Sequence, residues 1–239
     1  MKHIPHFFIS EKESEEKIIS DDIFHHLIQV LRLKESSLFT CADNKGNFFE
    51  CKIVNINKKN LTYEILQQSF FEKNNIEISL FQGITKIDVF EEILDKATQL
   101  GIDNIYPVIM DYSIISKDIY LKKQERFEKI IRSASEQSKR NFIPKLHKIE
   151  HLKNRLEILN PFNSIICYEK AKNPLKNILK TITNKEKINV LIGSEGGVSE
   201  NEAKFFSENN YKIASISNNI LRSETAVILA LSNIIYELD

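Results

Sequence analysis

One glutamate sits among three glycines in LIGSEGGVSENE, Leu191 to Glu202. An apolar run ends at Ile192, breaks through Gly193, Ser194, Glu195, Gly196 and Gly197, and restarts as a helix at Ser199. Ser199-Glu200-Asn201-Glu202 fits a capping box, which begins a helix. Gly196-Gly197 can take positive φ, so the chain can turn sharply there. The stretch reads as a strand-to-helix turn at the carboxyl end of a strand, the edge where open α/β sheets bind ligands. No GK[ST] follows and the spacing is not GxGxxG, so neither phosphate loop is present. A carboxylate at the centre of such a turn favours a neutral or cationic ligand.

A second turn of the same kind is ISNNILRSETAVILAL, Ile216 to Leu231. Ser223 can cap its helix, and Glu224 at the start complements the helix dipole. Ile220 and Leu221 are apolar residues in a polar turn, with Arg222 beside them. They either wall a flat ligand or plug the top of the core, and chemistry alone favours the plug because pockets are few.

These turns need a sheet to carry them. After QQSFFEKNN, Gln67 to Asn75, strand-like and helix-like stretches alternate: ISLFQGI, VFEEILDKATQLG, NIYPVIM, the helix around SASEQSKR, SIICY, VLIGS, KIASIS and a last helix from Ser223. Gly101 is placed to cap the helix from Val89. Such alternation predicts a mostly parallel sheet covered on both faces. The stretch before residue 73 is different. DDIFHHLIQVLRL reads as a short helix, then come strands with turns at Asn44-Lys45-Gly46 and at NKKN, Asn57 to Asn60. This texture predicts a small β-barrel. The expected organisation is α/β, with domains at 1–72 and 73–239.

The chain has 33 Lys and Arg against 33 Asp and Glu, a formal net charge of zero. The distribution is uneven. Lys117 to Arg155 holds twelve basic against five acidic residues, an excess of 12 − 5 = +7, whereas residues 1–72 hold nine against eleven. A basic segment is the footprint of a phosphate backbone, but a solvated helix face gives the same count. No apolar run approaches the ~20 residues that span a bilayer, and MKHIPHFFIS lacks the parts of a signal peptide. A cytoplasmic protein is expected, with no membrane contact. Cys41, Cys51 and Cys167 form no CxxC pair and are expected as buried small residues. His147 and His151 have the i,i+4 spacing of a metal pair on a helix. No third ligand is evident, so these and His25-His26 are read as packing or surface residues and no metal is expected.

IGSEGGVSENE together with ISNNILRSETA resembles the paired signature of the RsmE family, bacterial 16S ribosomal RNA uridine N3-methyltransferases of the knotted SPOUT superfamily. HHLIQVLRLK, TKIDVFEEILDKATQLGI and SEQSKRNFIP fit in register, so the resemblance spans essentially the whole chain. Three positions depart from the family pattern: Ser194 stands where proline is usual, Ser217 where glycine is, and Asn219 where arginine is.

The resemblance implies S-adenosylmethionine as methyl donor, held by loops of a trefoil knot. It implies a PUA-like RNA-binding barrel at the amino end and a homodimer through the carboxyl-terminal helix. The partner would be 16S rRNA or the 30S subunit. The donor answers the opening glutamate, since it carries a sulfonium and no phosphate. Ile192 to Gly197, Ile216, Asn218, Ile220, Leu221, Thr225 and Ala226 are its expected contacts. The glycines would let backbone approach adenine, with Ile216, Ile220 and Leu221 around the ring. Arg222 is the candidate to stabilise the uracil anion, with Glu195 or Glu224 as proton acceptor. Glu195 could instead brace the turn by accepting from backbone N–H groups, a common use of carboxylates in turns. Arg32, Lys34, Lys86, Arg132, Lys139 and Arg140 are candidate RNA contacts, some of which are expected only to be solvated. The alternatives are a knotted methyltransferase acting on another RNA, or a non-catalytic RNA-binding or ribosome-assembly protein.

Overall fold

The computed structural model describes residues 4–73, 75–182 and 186–238. The first three residues of MKHIPHFFIS, and Asn74 within the expected boundary stretch, lie outside them. The chain divides into two compact units, Met1–Lys73 with Ser135–Ile143, and Asn74–Ala134 with Pro144–Asp239. Residues 135–143, counted with the second domain from sequence, group with the first unit.

The first unit is a five-stranded sheet. Its strands are β1 (His6–Phe8), β2 (Ile18–Ser20), β3 (Leu38–Ala42), β4 (Asn47–Ile56) and β5 (Asn60–Phe70), in the order β1-β3-β4-β5-β2. β1 pairs parallel with β3, and the other ladders are antiparallel. Both predicted turns are present. Asn44 and Gly46 take positive φ between β3 and β4, and Asn57 N–H donates to Asn60 O between β4 and β5. Register shifts at Glu50/Cys51 and Ile53/Asn55 mark bulges on the long β4, which sharpen local twist. α1 (Glu11–Glu16) and α2 (Asp21–His25) flank β2, and a π-helical turn at His26–Val30 extends α2. Phe7, Ile19, Leu27, Phe39, Cys41, Phe49, Cys51, Ile53, Leu61 and Tyr63 form the core.

Residues 135–143 are fastened to this sheet by specific bonds. His6 Nε2 donates to Arg140 O at 3.0 Å, Ile143 N–H donates to Asn44 Oδ1 at 2.7 Å, and Phe8 N–H donates to Glu136 Oε1 at 3.3 Å. Sequence periodicity could not show this, because the segment joins the first unit through polar bonds across long chain separations.

In the second unit every ladder is parallel. β6 (Glu77–Gly83), β7 (Asn104–Ile109), β8 (Lys145–Leu146), β9 (Glu150–His151), β10 (Ser164–Cys167), β11 (Lys187–Ile192) and β12 (Lys212–Ala214) form a seven-stranded sheet. The order is β12-β10-β11-β6-β7-β8, with β9 also on β7. β10 is buried throughout and β11 from Ile188 onward, polar Ser164 and Asn189 included, as strands covered on both faces must be. α3 (Ile87–Gln99) is followed by Gly101 at φ +94, the expected left-handed cap. α4 (Lys117–Leu121) and α5 (Gln124–Gln137) come next; Phe127, Ile131 and Ala134 are buried on α5, and Ile130 is half-buried. α6 (Leu175–Leu179), α7 (Glu200–Glu208) and α8 (Ser223–Leu238) complete the unit. α8 packs on β11, α3 and α6, whereas α7 packs on β12.

His147 and His151 are not on a helix: His147 follows β8 directly and His151 ends β9. His147 stacks on Tyr106 at 3.9 Å and its Nε2 bonds Asn104 Oδ1 at 2.9 Å. Burial, with the nearby Lys145 and Arg155 charges, pushes its pKa down to about 4. Among the described residues, no group of three His, Cys, Asp or Glu could hold a metal ion. All three cysteines are buried, and Cys41 Sγ lies 3.6 Å from Cys51 Sγ. No described helix is long and apolar enough to cross a membrane.

Candidate functional site

β12, β10 and β11 lie side by side, so their carboxyl ends open on one edge of the sheet. β11 delivers the glycine turn there. Gly197 N–H donates to Ser194 O at 2.9 Å, closing a four-residue turn with Glu195 and Gly196 at its tip. The predicted capping box follows: Ser199 Oγ accepts from Glu202 N–H, and the Glu202 side chain accepts from Ser199 N–H. Of the two glycines able to take positive φ at the turn, Gly197 uses it, at +76, and Gly196 does not.

The glycines make room for the protein itself rather than chiefly for a ligand. A Cβ on Gly193 would overlap the backbone of Gly197, and one on Gly196 would meet the Tyr112 Cβ at 2.7 Å. Ser194, which lacks a proline's rigidity, is tethered another way: its hydroxyl donates to Tyr112 O at 3.2 Å.

A cleft lies between this turn and the loop that leaves β12. Ile192, Gly193, Ser194, Glu195, Gly196 and Gly197 form one wall. Ile216, Ser217, Asn219, Ile220, Leu221, Ser223 and Ala226 form the other. Ten of the twelve expected contacts of the resemblance therefore line it. Asn218 does not, and faces a neighbouring hollow beside α6 and α8. Thr225 does not line it either. Ile220 is 90% exposed, so it is no plug for the core; Leu221 and Ile216 are half-buried.

Cys167, Tyr168 and Glu169, at the end of β10, complete the lining and were not anticipated. The one signal in sequence was that SIICY had to end at the same sheet edge. Among the described residues, Glu169 and Glu195 are the only charged ones that line the cleft. The cleft thus carries two carboxylates and no cation, unsuited to phosphate and suited to a cationic ligand.

Glu195 Oε1 accepts from Lys86 N–H at 2.7 Å. This is the bracing alternative, and it reaches a residue separate from the turn. Tyr120 holds the same loop: its hydroxyl accepts from Thr85 N–H at 2.8 Å and donates to Thr85 O at 2.7 Å. Ser223 does not cap α8 with its hydroxyl, which donates instead to Gly193 O at 3.0 Å. Arg222 is exposed between the lining residues Leu221 and Ser223, and Glu224 is half-buried in the first turn of α8. Neither lines the cleft.

The six candidate RNA contacts fall in both units. Arg32 and Lys34 are exposed in the first unit, as is Lys139, whose φ of 54 matches that of Arg32. Arg140 is half-buried and its Nε donates to Phe142 O at 3.0 Å, so part of its role is to shape the segment. In the second unit, Lys86 is exposed beside the glycine turn and Arg132 is exposed on α5.

Comparison with known proteins agrees with this geometry. Residues 72–235 match the family model described as RNA methyltransferase domain, and residues 19–66 match that described as RNA methyltransferase PUA domain. The chain is 30% identical to the ribosomal RNA small subunit methyltransferase E of Rickettsia conorii, covering 93% of this chain and 90% of the relative. It is 26% identical to the protein of that name from Bacillus subtilis, covering 92% and 89%. The crystal structure of a ribosomal RNA small subunit methyltransferase E from Neisseria gonorrhoeae, bound to S-adenosyl methionine, superposes with a TM-score of 0.85 at 26% identity over 98% of both chains. From motifs, fold and relatives together, the chain belongs to the RNA methyltransferase family of ribosomal RNA small subunit methyltransferase E.

Proposed function

We propose that the protein transfers a methyl group from S-adenosylmethionine to N3 of a uridine in the 16S RNA of the small ribosomal subunit, in the cytoplasm and as a homodimer. The observation that carries this reading is the cleft itself: two turns at the ends of β11 and β12, the strands either side of β10, with two carboxylates and no cation among the described lining residues. A sulfonium donor fits that field, whereas a nucleoside phosphate does not. The trefoil knot belongs to the same reading.

S-adenosylmethionine supplies an activated methyl group. Ile216, Ile220 and Leu221 offer apolar surface to its adenine, and Glu195 holds the turn in shape rather than taking a proton. Arg222 is exposed between the lining residues Leu221 and Ser223, with no carboxylate partner among the described residues. Facing uracil, its charge favours the N3 anion that attacks the methyl. Glu224, one residue past Ser223, is the proton acceptor. The uridine must leave its stack to reach the donor. Arg32, Lys34 and Lys139 on the first unit, with Lys86 and Arg132 on the second, hold the RNA backbone.

α8 supports the dimer. Ala226, Val227, Ala230, Leu231 and Ile234 bury one face within the chain, while Ile228, Leu229 and Ile235 are only half-buried and Tyr236 is 89% exposed. Deleting the gene in its host tests the whole reading. One 3-methyluridine should vanish from small-subunit RNA and return on complementation. Retention of every 3-methyluridine, with loss of a different methyl group, would favour another RNA position, and no change in methylation would favour an assembly role.

A further inference from the structure

Gln82 is the penultimate residue of β6 and is fully buried. Its Nε2 faces three acceptors: Gly83 O at 2.8 Å, Ser223 Oγ at 2.9 Å and Gly193 O at 3.1 Å. Ser223 Oγ in turn donates to Gly193 O. The acceptors fix which way the amide points, because Oε1 in that place would meet two carbonyl oxygens. Oε1 is left buried and without a hydrogen-bond partner. An orphaned buried acceptor costs stability, so an apolar side chain of similar volume would suit the core better. What the amide adds is a link. Gly193 belongs to the glycine turn, Ser223 opens α8, and both line the cleft. Gln82 itself does not line it.

We infer that Gln82 is a positioning residue, which locks the glycine turn to the start of α8 and so fixes the separation of the two walls that receive S-adenosylmethionine. This rests on the proposed donor. It follows from the need to hold binding groups in place before the ligand arrives, so that ordering them is not charged against affinity.

The test uses Gln82→Met, which keeps volume and removes the donors, with Ser223→Ala and the double variant, all in the full chain. Calorimetry should show the dissociation constant for S-adenosylmethionine raised about tenfold in Gln82→Met. Ser223→Ala should cost less in that background than in the wild type, because both residues act on Gly193 O. Amide exchange of the unliganded protein should speed up at both 193–197 and 223–226 in Gln82→Met. An unchanged dissociation constant, even with a lowered melting temperature, would overturn the inference and leave Gln82 a packing residue. If the wild type itself bound no S-adenosylmethionine, the donor reading would fail. The exchange data would then decide the lock alone, with faster exchange at both walls supporting it and unchanged exchange rejecting it.

Discussion

Lys86 N–H donates to Glu195 Oε1 across 2.7 Å, joining the loop after β6 to the tip of the glycine turn after β11. Because Tyr120 grips the preceding Thr85 through both its N–H and its C=O, the brace is anchored at its far end. The glutamate that looked out of place in a glycine turn thus has a partner more than a hundred residues away in sequence.

This bond separates bracing from catalysis. Glu195→Gln keeps an acceptor oxygen and loses the charge. It should hold S-adenosylmethionine within about threefold of the wild type, since one hydrogen bond is worth about 1 kcal/mol net and is largely kept. Glu195→Ala should bind about tenfold more weakly. A fall in kcat of about 10²-fold or more in Glu195→Gln, with donor affinity intact, would instead make Glu195 the general base.

Arg222 is expected to act on the transition state. Arg222→Ala should bind S-adenosylmethionine normally and lose about 10²–10³-fold in turnover, the scale on which a preorganised charge or donor acts. Single-turnover methylation with bound donor checks it. Full turnover would remove Arg222 from the mechanism.

The candidate site was legible in the sequence to different depths. The two turns, the capping box and the strand-to-helix order were legible because glycine, Ser and Glu at fixed offsets encode local geometry. Cys167, Tyr168 and Glu169 were not, since SIICYEK has no signature and joins the cleft only because β10 lies between β11 and β12. Ser223 was misread as a cap because propensity describes local partners, whereas its hydroxyl is spent on Gly193 O. The displaced segment 135–143 was hidden for the same reason: its bonds to His6, Phe8 and Asn44 are long-range and polar.

RNA binding by the first unit should be electrostatic. Each phosphate contact on single-stranded nucleic acid steepens the fall of log affinity with log salt by about 0.7. Lys34→Glu and Lys139→Glu should each lower affinity and flatten that slope by about one contact, measured by titration at several salt concentrations. Equal affinity at low salt would reject the patch. Arg140 is a poorer probe, because its replacement also disturbs the bond to Phe142 O.

Acid should loosen the same segment. Burial pushes the His6 pKa down from 6.5 to about 4; the bond to Arg140 O opposes the shift and the Lys139 charge adds to it. The unfolded chain therefore binds the proton first. Stability from neutral His6 is complete above pH 6.5 and is lost as pH falls from 6.5 towards 4. Denaturant unfolding of the first unit at pH 7 and pH 5 should show a larger loss in the wild type than in His6→Gln. An equal loss in both would mean that His6 does not couple to folding in that window.

The most direct measurement is methyl transfer from labelled S-adenosylmethionine to purified small subunits that lack the modification, read by nucleoside mass spectrometry. The account predicts 3-methyluridine in 16S RNA, one per subunit, with Ser217 and Asn219 tolerated in the cleft wall. Stoichiometric donor binding with no methylated uridine, or with the label on a ribose hydroxyl or another base, would contradict it.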